Sequence, residues 1–376
     1  MMVHKTMKLI HSVKGLVLKI FPTFAINWRV NNYIKNKHHD KICGGFRLDE
    51  QIEENISIFL NETKLADKAY LEQIKKDIVK SYLLYGTNAN EYFTLEFEKK
   101  DHKSRNEYLS KKRKNDLCVL SIKKLSAGKN WENIFSNIMD KNKFYSMSKD
   151  FFLRDATPVE NQNDLNSFLL FIKKHPKFIA KPSRGGGGKG VSIVDTSATS
   201  PALAFDNLLK DGCYIAEELI VQDPRIAVFN ESSINTVRVP SIMTDSGIHV
   251  FYPLFRVGRK GSIVDNASSG GTFASIDADT GVVITDGYDE LGHHFAEHPD
   301  SHIPYKGFKI PEWKNLIATV NKIHSAMPKE LKYIGFDFAL SCKGWCVIEA
   351  NWGEFVMQQK ALGRGLYKEF KEVLKI

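Results

Sequence analysis

Phe178–Val194 reads FIAKPSRGGGGKGVSIV, two short apolar runs rich in strand formers on either side of a four-glycine loop. Glycines lack a Cβ, so their backbone N–H groups can close on a phosphate chain, and Lys181 and Lys189 bracket the loop with positive charge. Gly185, Gly187 and Gly190 satisfy G-x-G-x-x-G, but a dinucleotide site needs a helix at that point, and Val191–Val194 reads as a strand. A P-loop needs Ser or Thr after Gly-Lys, and Lys189 is followed by Gly190. What remains is a hairpin lid over a nucleotide, set against the plainer alternative of a flexible surface turn.

The sequence around this loop has the same texture. After Lys177 come short β-rich runs with Gly and Asp turns: FIAKP, GVSIV, YIAEELI, INTVRVPSIMT, GIHVFYPLFRVG and FDFALSCKGWCVIEANW. Helical stretches at Pro201–Leu209 and Pro311–Ala326 separate them. The mixture predicts an α+β domain built from antiparallel hairpins.

Ile334–Trp352 reads as two strands joined by a Cys342-Lys343-Gly344 loop. In that register Ser341 faces Trp345 and Asp337 faces Glu349, with Asn351 on the same face by the period of two. Two carboxylates so close repel each other unless a cation lies between them. Mg²⁺ takes hard oxygen ligands and leaves positions for substrate phosphates, while an exposed hairpin with solvated acids is the bland alternative.

Between these ends, the run Glu217-Glu218-Leu219-Ile220 closes a strand and suits the hinge that receives an adenine ring, against a solvated edge strand. Asn235 and Arg238 cannot share one strand face without a bulge. Arg256 and the loop holding Asp265, Asn266, Gly270 and Gly271 add polar groups, and guanidinium forks suit phosphate and carboxylate alike. The histidines of HHFAEHPDSH (His293, His294, His298, His302) match no helical metal motif and are read as a substrate-facing loop.

At 376 residues and 43% hydrophobic the chain can bury a large core, enough for two or three domains. No run approaches about 18 apolar residues, so no membrane span is expected. Five scattered cysteines, with Cys342 and Cys346 far from other ligands, fit reduced thiols in a cytoplasm. The net charge of +9 is concentrated near the start. Met1–His39 holds no acid, and Met7, Ile10, Val13, Leu16, Val17, Ile20 and Phe21 form one arc of a helical wheel. Such a basic amphipathic segment lies on an anionic membrane surface or covers a groove of the protein body, and Lys19 argues against a secretory signal. The run Lys99–Lys114 is interleaved with acids and reads as a solvated face, and no aromatic-interleaved basic groove calls for nucleic acid. Leu48–Tyr145 carries helical spacing. The expected organisation is thus a basic segment 1–40, a mainly helical domain 41–130 and an α+β domain 131–376, whose lobes meet near residue 215.

Taken in order, Lys181, the glycine loop, Glu217–Ile220, Asp337, Glu349 and Asn351 resemble the ATP-grasp superfamily. The sugar-transfer-associated branch is matched through NTVRV, RVGRKGSIVDNASSGG, HPDS, GFKIPEW, YIGFDFAL and VIEANW, over roughly Asn130–Ile376. The resemblance implies an ATP-grasp fold, two α+β lobes clasping ATP, behind a mainly helical N-terminal region. It implies Lys143 and Lys181 on the phosphates and Gly185, Gly186, Gly187 and Gly188 as the lid. Glu217, Glu218 and Ile220 fall at the adenine, with Asp223 as the candidate ribose-binding acid. Asp337, Glu349 and Asn351 would hold one or two Mg²⁺, or Mn²⁺, while Arg238, Arg256 and Asn266 neutralise the transferring phosphoryl group. The implied reaction joins a carboxylate, activated as an acyl phosphate, to an amine, in surface-polysaccharide assembly. The alternatives are phosphotransfer to a sugar hydroxyl and a nucleotide-binding scaffold without turnover. The oligomeric state is left open.

Overall fold

The computed structural model describes residues 26–31, 48–128, 130–198, 200–262, 270–353 and 355–375. The basic amphipathic arc and Asn266 lie outside them. The chain divides into two compact units, one running to Lys114 with Arg364–Tyr367, the other comprising Asn115–Gly363 and Lys368–Ile376. The division falls inside a helix, Lys111–Leu125, and not near residue 130. No described helix is long and apolar enough to cross a membrane.

The first unit is helical. Helix α1 (Leu48–Phe59) buries Ile52 and Ile56, and α2 (Lys68–Tyr85) buries Ile74 and Ile78, the faces their 3.6-residue spacing prescribes. Asp67 caps the start of α2 by accepting from the Tyr70 N–H, and Gly86 ends it at φ 69°, a left-handed turn that glycine adopts without strain.

The second unit carries two antiparallel sheets. The smaller has the order β1-β4-β2-β3, from β1 (Ala156–Val159), β2 (Lys177–Pro182), β3 (Ser192–Asp195) and β4 (Tyr214–Glu218). Helices α3 (Leu165–Lys174) and α4 (Pro201–Asp211) cover one face, with Phe168, Phe171 and Phe205 packed on Phe178, Ala180 and Ala216. Alternation then turns Ile179, Lys181 and Glu217 to the opposite face.

The larger sheet is centred on β5 (Thr236–Thr244), flanked by β6 (Leu254–Val257) and β7 (Tyr333–Ser341). The last strand, β8 (Gly344–Asn351), pairs with β7. Val237, Val239, Phe255, Phe336 and Phe338 point into the main core with Leu316, Val320 and Ile323 of α5 (Trp313–Ser325). Arg238, Arg256 and Asp337, one residue off each, therefore occupy the other face.

The β7–β8 hairpin corrects the expected register. Ser341 pairs with Gly344, not Trp345, so the turn is the two residues Cys342-Lys343, yet Asp337 still pairs with Glu349. The two facts agree because the register shifts between Asp337 and Phe338, which pairs with Val347 and leaves Ile348 as the extra residue. Val347 is in the core, and strict alternation would send Glu349 there too. The bulge turns Ile348 and Glu349 together toward a cavity on the other face.

Candidate functional site

The face of the small sheet that bears Lys181 and the bulged end of β8 border one cavity of 340 Å³. Its apolar wall includes Ile179, Ile193, Leu219, Ile220 and Ile348; its polar rim includes Lys141, Lys181, the loop Gly185–Gly188, Glu231 and Glu349. An aromatic ring can lie in the apolar slot while a charged chain runs to the lysines.

The glycine loop spans the turn between β2 and β3. Gly187 and Gly188 have φ of 68° and 72°, which residues with a side chain reach only with strain. Gly190, at φ 74°, also has no room: a Cβ there would lie 2.8 Å from Pro182 Cγ.

Two short helices, Trp131–Met139 and Lys141–Ser148, precede β1. Asp140 opens the second by accepting from the N–H groups of Asn142 and Lys143, and the Lys141 N–H donates to the Ser183 carbonyl at 2.8 Å. That bond fixes the helix start against the strand leading into the glycine loop. Lys141 Nζ consequently donates to the Gly185 carbonyl at 3.0 Å and lies 4.0 Å from Glu349 Oε2. Burial holds its ammonium below the ordinary lysine value, against the attraction of Glu349.

Lys143 is not at this site. It is exposed, and its Nζ donates to Asn137 Oδ1 at 3.2 Å. Two residues along a helix are about 200° apart, so the lysine that reaches the glycine loop leaves the next one facing away.

Lys181 Nζ donates to Glu217 Oε2 at 2.8 Å. The same oxygen accepts from Arg154 Nε and Nη2 at 2.8 and 2.6 Å. Burial would raise the Glu217 pKa, but the charges of Arg154 and Lys181 outweigh it and hold the carboxyl below its ordinary value. Glu217 lines the cavity with its carboxylate committed to these cations. Glu218 borders the cavity, but its carboxylate turns away, accepting from Lys343 Nζ at 2.9 Å and from the Asp155 N–H at 3.0 Å. Asp223 is not among the cavity's lining residues. It caps the short helix Pro224–Ala227 and forms a fork-to-fork pair with Arg225 at 2.9 and 2.7 Å. The acid bordering the cavity after the hinge is Glu231.

On the large sheet, Arg238 grips Asp337 with both arms, at 2.8 and 2.7 Å, and Arg256 Nη1 adds a third contact at 3.2 Å. Asn351 Nδ2 lies 3.4 Å from Asp337 Oδ2, and its Oδ1 accepts from the Gly353 N–H at 2.8 Å. Burial would raise the Asp337 pKa, yet the two guanidinium charges keep it low. Burial and the facing Asp337 carboxylate push Glu349 up, partly offset by Lys141. A carboxyl raised by burial and a like-charged neighbour is one that a divalent cation would relieve, and the two facing carboxylates fit Mg²⁺; Asn351, which turns Nδ2 toward Asp337, would share its Oδ1 between the cation and the Gly353 N–H. Asp337 would share its oxygens with the arginines.

The histidine loop does something the sequence did not announce. His298 is fully buried, with Nδ1 at 3.0 Å from Ser301 Oγ and Nε2 donating to the Gly258 carbonyl at 3.1 Å, and burial lowers its pKa. Asp300 accepts from Arg259 Nε and Nη2 at 2.8 and 2.9 Å and from the Lys260 N–H at 2.8 Å. Together they clamp the segment after β6, which Ser232 Oγ also holds by accepting from the Gly261 N–H at 2.9 Å. His293, His294 and His302 pair with Asp289, Asp286 and Glu297. Among the described residues, a group with metal-ligand spacing is Asp155, His175 and Glu218, but these already bond one another, Lys174 and Lys343.

Comparison with known proteins gives one family and several solved structures. Residues 122–375 match the family model described as sugar-transfer associated ATP-grasp. Similar solved structures include the ATP-grasp ligase PsnB complexed with a minimal precursor, at 14% identity over 65% of this chain and 62% of that one, TM-score 0.41. D-alanyl-alanine synthetase A from Vibrio cholerae O1 biovar eltor is similar at 14% identity over 64% and 65%, TM-score 0.38. An L-amino acid ligase from Bacillus licheniformis is similar at 14% identity over 57% and 40%, TM-score 0.35. The chain thus spans less than two thirds of each of these proteins. No curated protein matches it in sequence.

Proposed function

Because the chain belongs to the sugar-transfer associated ATP-grasp family, whose fold is two α+β lobes around a nucleotide, we propose that it is an ATP- and Mg²⁺-dependent ligase. It activates a carboxylate as an acyl phosphate for attack by an amine. The observation that carries the reading is the cavity bordered by the glycine loop, Lys141, Lys181, the Glu217–Ile220 hinge and Glu349.

In this reading the adenine lies against Ile179, Ile193 and Ile220, Glu231 takes the ribose, and the lid amides with Lys141 and Lys181 hold the phosphates. Asp337, Glu349 and Asn351 hold the divalent cation, which when bound neutralises the charge of the transferring phosphoryl group. Arg238 and Arg256 stand on the same face, where a guanidinium can orient an anionic acceptor and the γ-phosphoryl group. A carboxylate oxygen of the acceptor attacks the γ-phosphorus, and ADP leaves. The amine nitrogen then attacks the acyl carbon, and inorganic phosphate departs as the C–N bond forms. The family's association with sugar transfer makes a glycan-linked or sugar acid and an amino compound of surface-polysaccharide assembly the substrates to try.

The test is phosphate release measured over pools of acids and amines. Release that requires both an acid and an amine is the expected result. A stable phosphorylated sugar would instead establish phosphotransfer to a hydroxyl, and nucleotide binding without turnover across the pools would leave a scaffold.

A further inference from the structure

Arg154 does not line the cavity, yet its guanidinium is spent just behind the wall. Nε and Nη2 donate to Glu217 Oε2, and Nη1 donates to the carbonyls of Phe152 and Val347 at 3.0 and 2.7 Å. Lys181 donates to the same Glu217 oxygen at 2.8 Å. The side chains of Arg154, Glu217 and Lys181 are 3%, 1% and 11% exposed, so they interact with little screening by water. Of the three, Lys181 and Glu217 line the cavity and Arg154 stands behind them.

One carboxylate, one ammonium and one guanidinium leave this trio a single net positive charge. Remove the guanidinium and Lys181 faces a buried carboxylate alone, a neutral pair with little to offer a phosphate chain. We infer that Arg154 is a positioning residue: it satisfies Glu217 from behind, so that Lys181 keeps its positive charge for the phosphates of the nucleotide. The inference rests on the nucleotide reading of the cavity. The competing role is mechanical, a tie between the Phe152 and Val347 carbonyls that steadies β8 close to Glu349.

Calorimetric titration of ADP and of adenosine into four proteins separates the two roles. Arg154→Gln should lose about tenfold or more in ADP affinity, the scale of a charged hydrogen bond. Adenosine, which lacks phosphate, should bind within about twofold of wild type, since no charge acts on it. Arg154→Lys restores charge without the fork and should stay within about threefold of wild type for ADP. The double variant R154Q/E217Q, which frees Lys181 from its carboxylate, should recover most of the ADP affinity, a coupling that a purely mechanical tie would not show. If R154Q does not fold, R154K and the double variant carry the comparison with wild type. A double variant that binds ADP tenfold or more weakly than wild type, or equal losses for ADP and adenosine, would overturn the inference. A wild-type protein that binds neither ligand would remove the nucleotide reading itself.

Discussion

Lys141 and Lys143 leave the same helix start in opposite directions, one to the Gly185 carbonyl and the other to Asn137 at the surface. If the buried ammonium holds phosphate, Lys141→Met should cut turnover by about tenfold or more, the scale of a lost charged hydrogen bond. Lys143→Met should leave turnover within about twofold, as surface substitutions do. A steady-state ADP-release assay on the two variants decides the matter; equal effects would move the phosphate lysine elsewhere. Glu349→Gln keeps the shape of the site but removes a cation ligand, so nucleotide binding should persist while turnover collapses, and unchanged turnover would count against the metal assignment. The faces of Lys181 and Asp337 could be read in the sequence because each sits in a strand whose alternation sets it, whereas Glu349 owes its face to the bulge at Ile348. Lys141, Arg154 and Glu231 could not be read: Lys141 reaches the cavity beside Gly185, Arg154 stands behind its wall on Glu217, both contacts between residues far apart in the chain, and Glu231 borders it from the segment after the hinge. Asp223 looked like the ribose acid because it follows the hinge, and a local preference won: Asp before Pro is a helix cap, and Arg225 two residues on completes a fork.

Among the elements, the glycine hairpin and the β7–β8 hairpin each depend on one local irregularity. In the first, Gly190 combines φ 74° with Pro182 Cγ only 2.8 Å from the position of a Cβ. Gly190→Ala should therefore cost about 1–2 kcal/mol of backbone strain at the base of the loop. The expected readout is faster amide exchange in β2 and β3 and a KM for ATP raised several-fold; unaltered exchange would show that the loop base tolerates a side chain. In the second, the Ile348 bulge decides which face Glu349 takes. The sequence indicated the pairing of Asp337 with Glu349 by assuming a three-residue loop, whereas a two-residue turn and a bulge reach the same pairing. Nothing in a period-two pattern distinguishes those routes, since both shift the strand by one residue. The glycine hairpin was legible for the opposite reason, because consecutive glycines between two apolar strands leave few other local structures.

At the scale of the second unit, His324 is one group that makes stability fall in acid. It is fully buried, with Nδ1 at 2.8 Å from Ser241 Oγ and Nε2 donating to the Leu331 carbonyl at 3.0 Å. Burial drops its pKa from the ordinary 6.5 to about 4. The folded imidazole stays neutral where the unfolded one is already protonated, so stability is full above pH 6.5 and falls as the pH drops toward 4. The loss from this group is about 3 kcal/mol, because each pH unit between the unfolded and folded values is worth roughly 1.4 kcal/mol. Urea unfolding from pH 7 to pH 4 should show it, and His324→Gln should flatten that part of the profile; an identical slope in both proteins would assign the loss to other groups. The division into a helical unit and an α+β unit was legible in the change of texture along the chain. The boundary was not, because Lys111–Leu125 runs through it as one helix and leaves no break in composition.

All of these roles require a nucleotide whose phosphates meet Lys181 beneath the glycine loop. The most direct measurement is calorimetric titration of a non-hydrolysable ATP analogue, with Mg²⁺, into wild type and Lys181→Met. Wild type should bind one equivalent, and the variant should bind about tenfold or more weakly while retaining its fold. Equal affinity in the two proteins, or no binding by wild type, would contradict the assignment of this cavity to ATP.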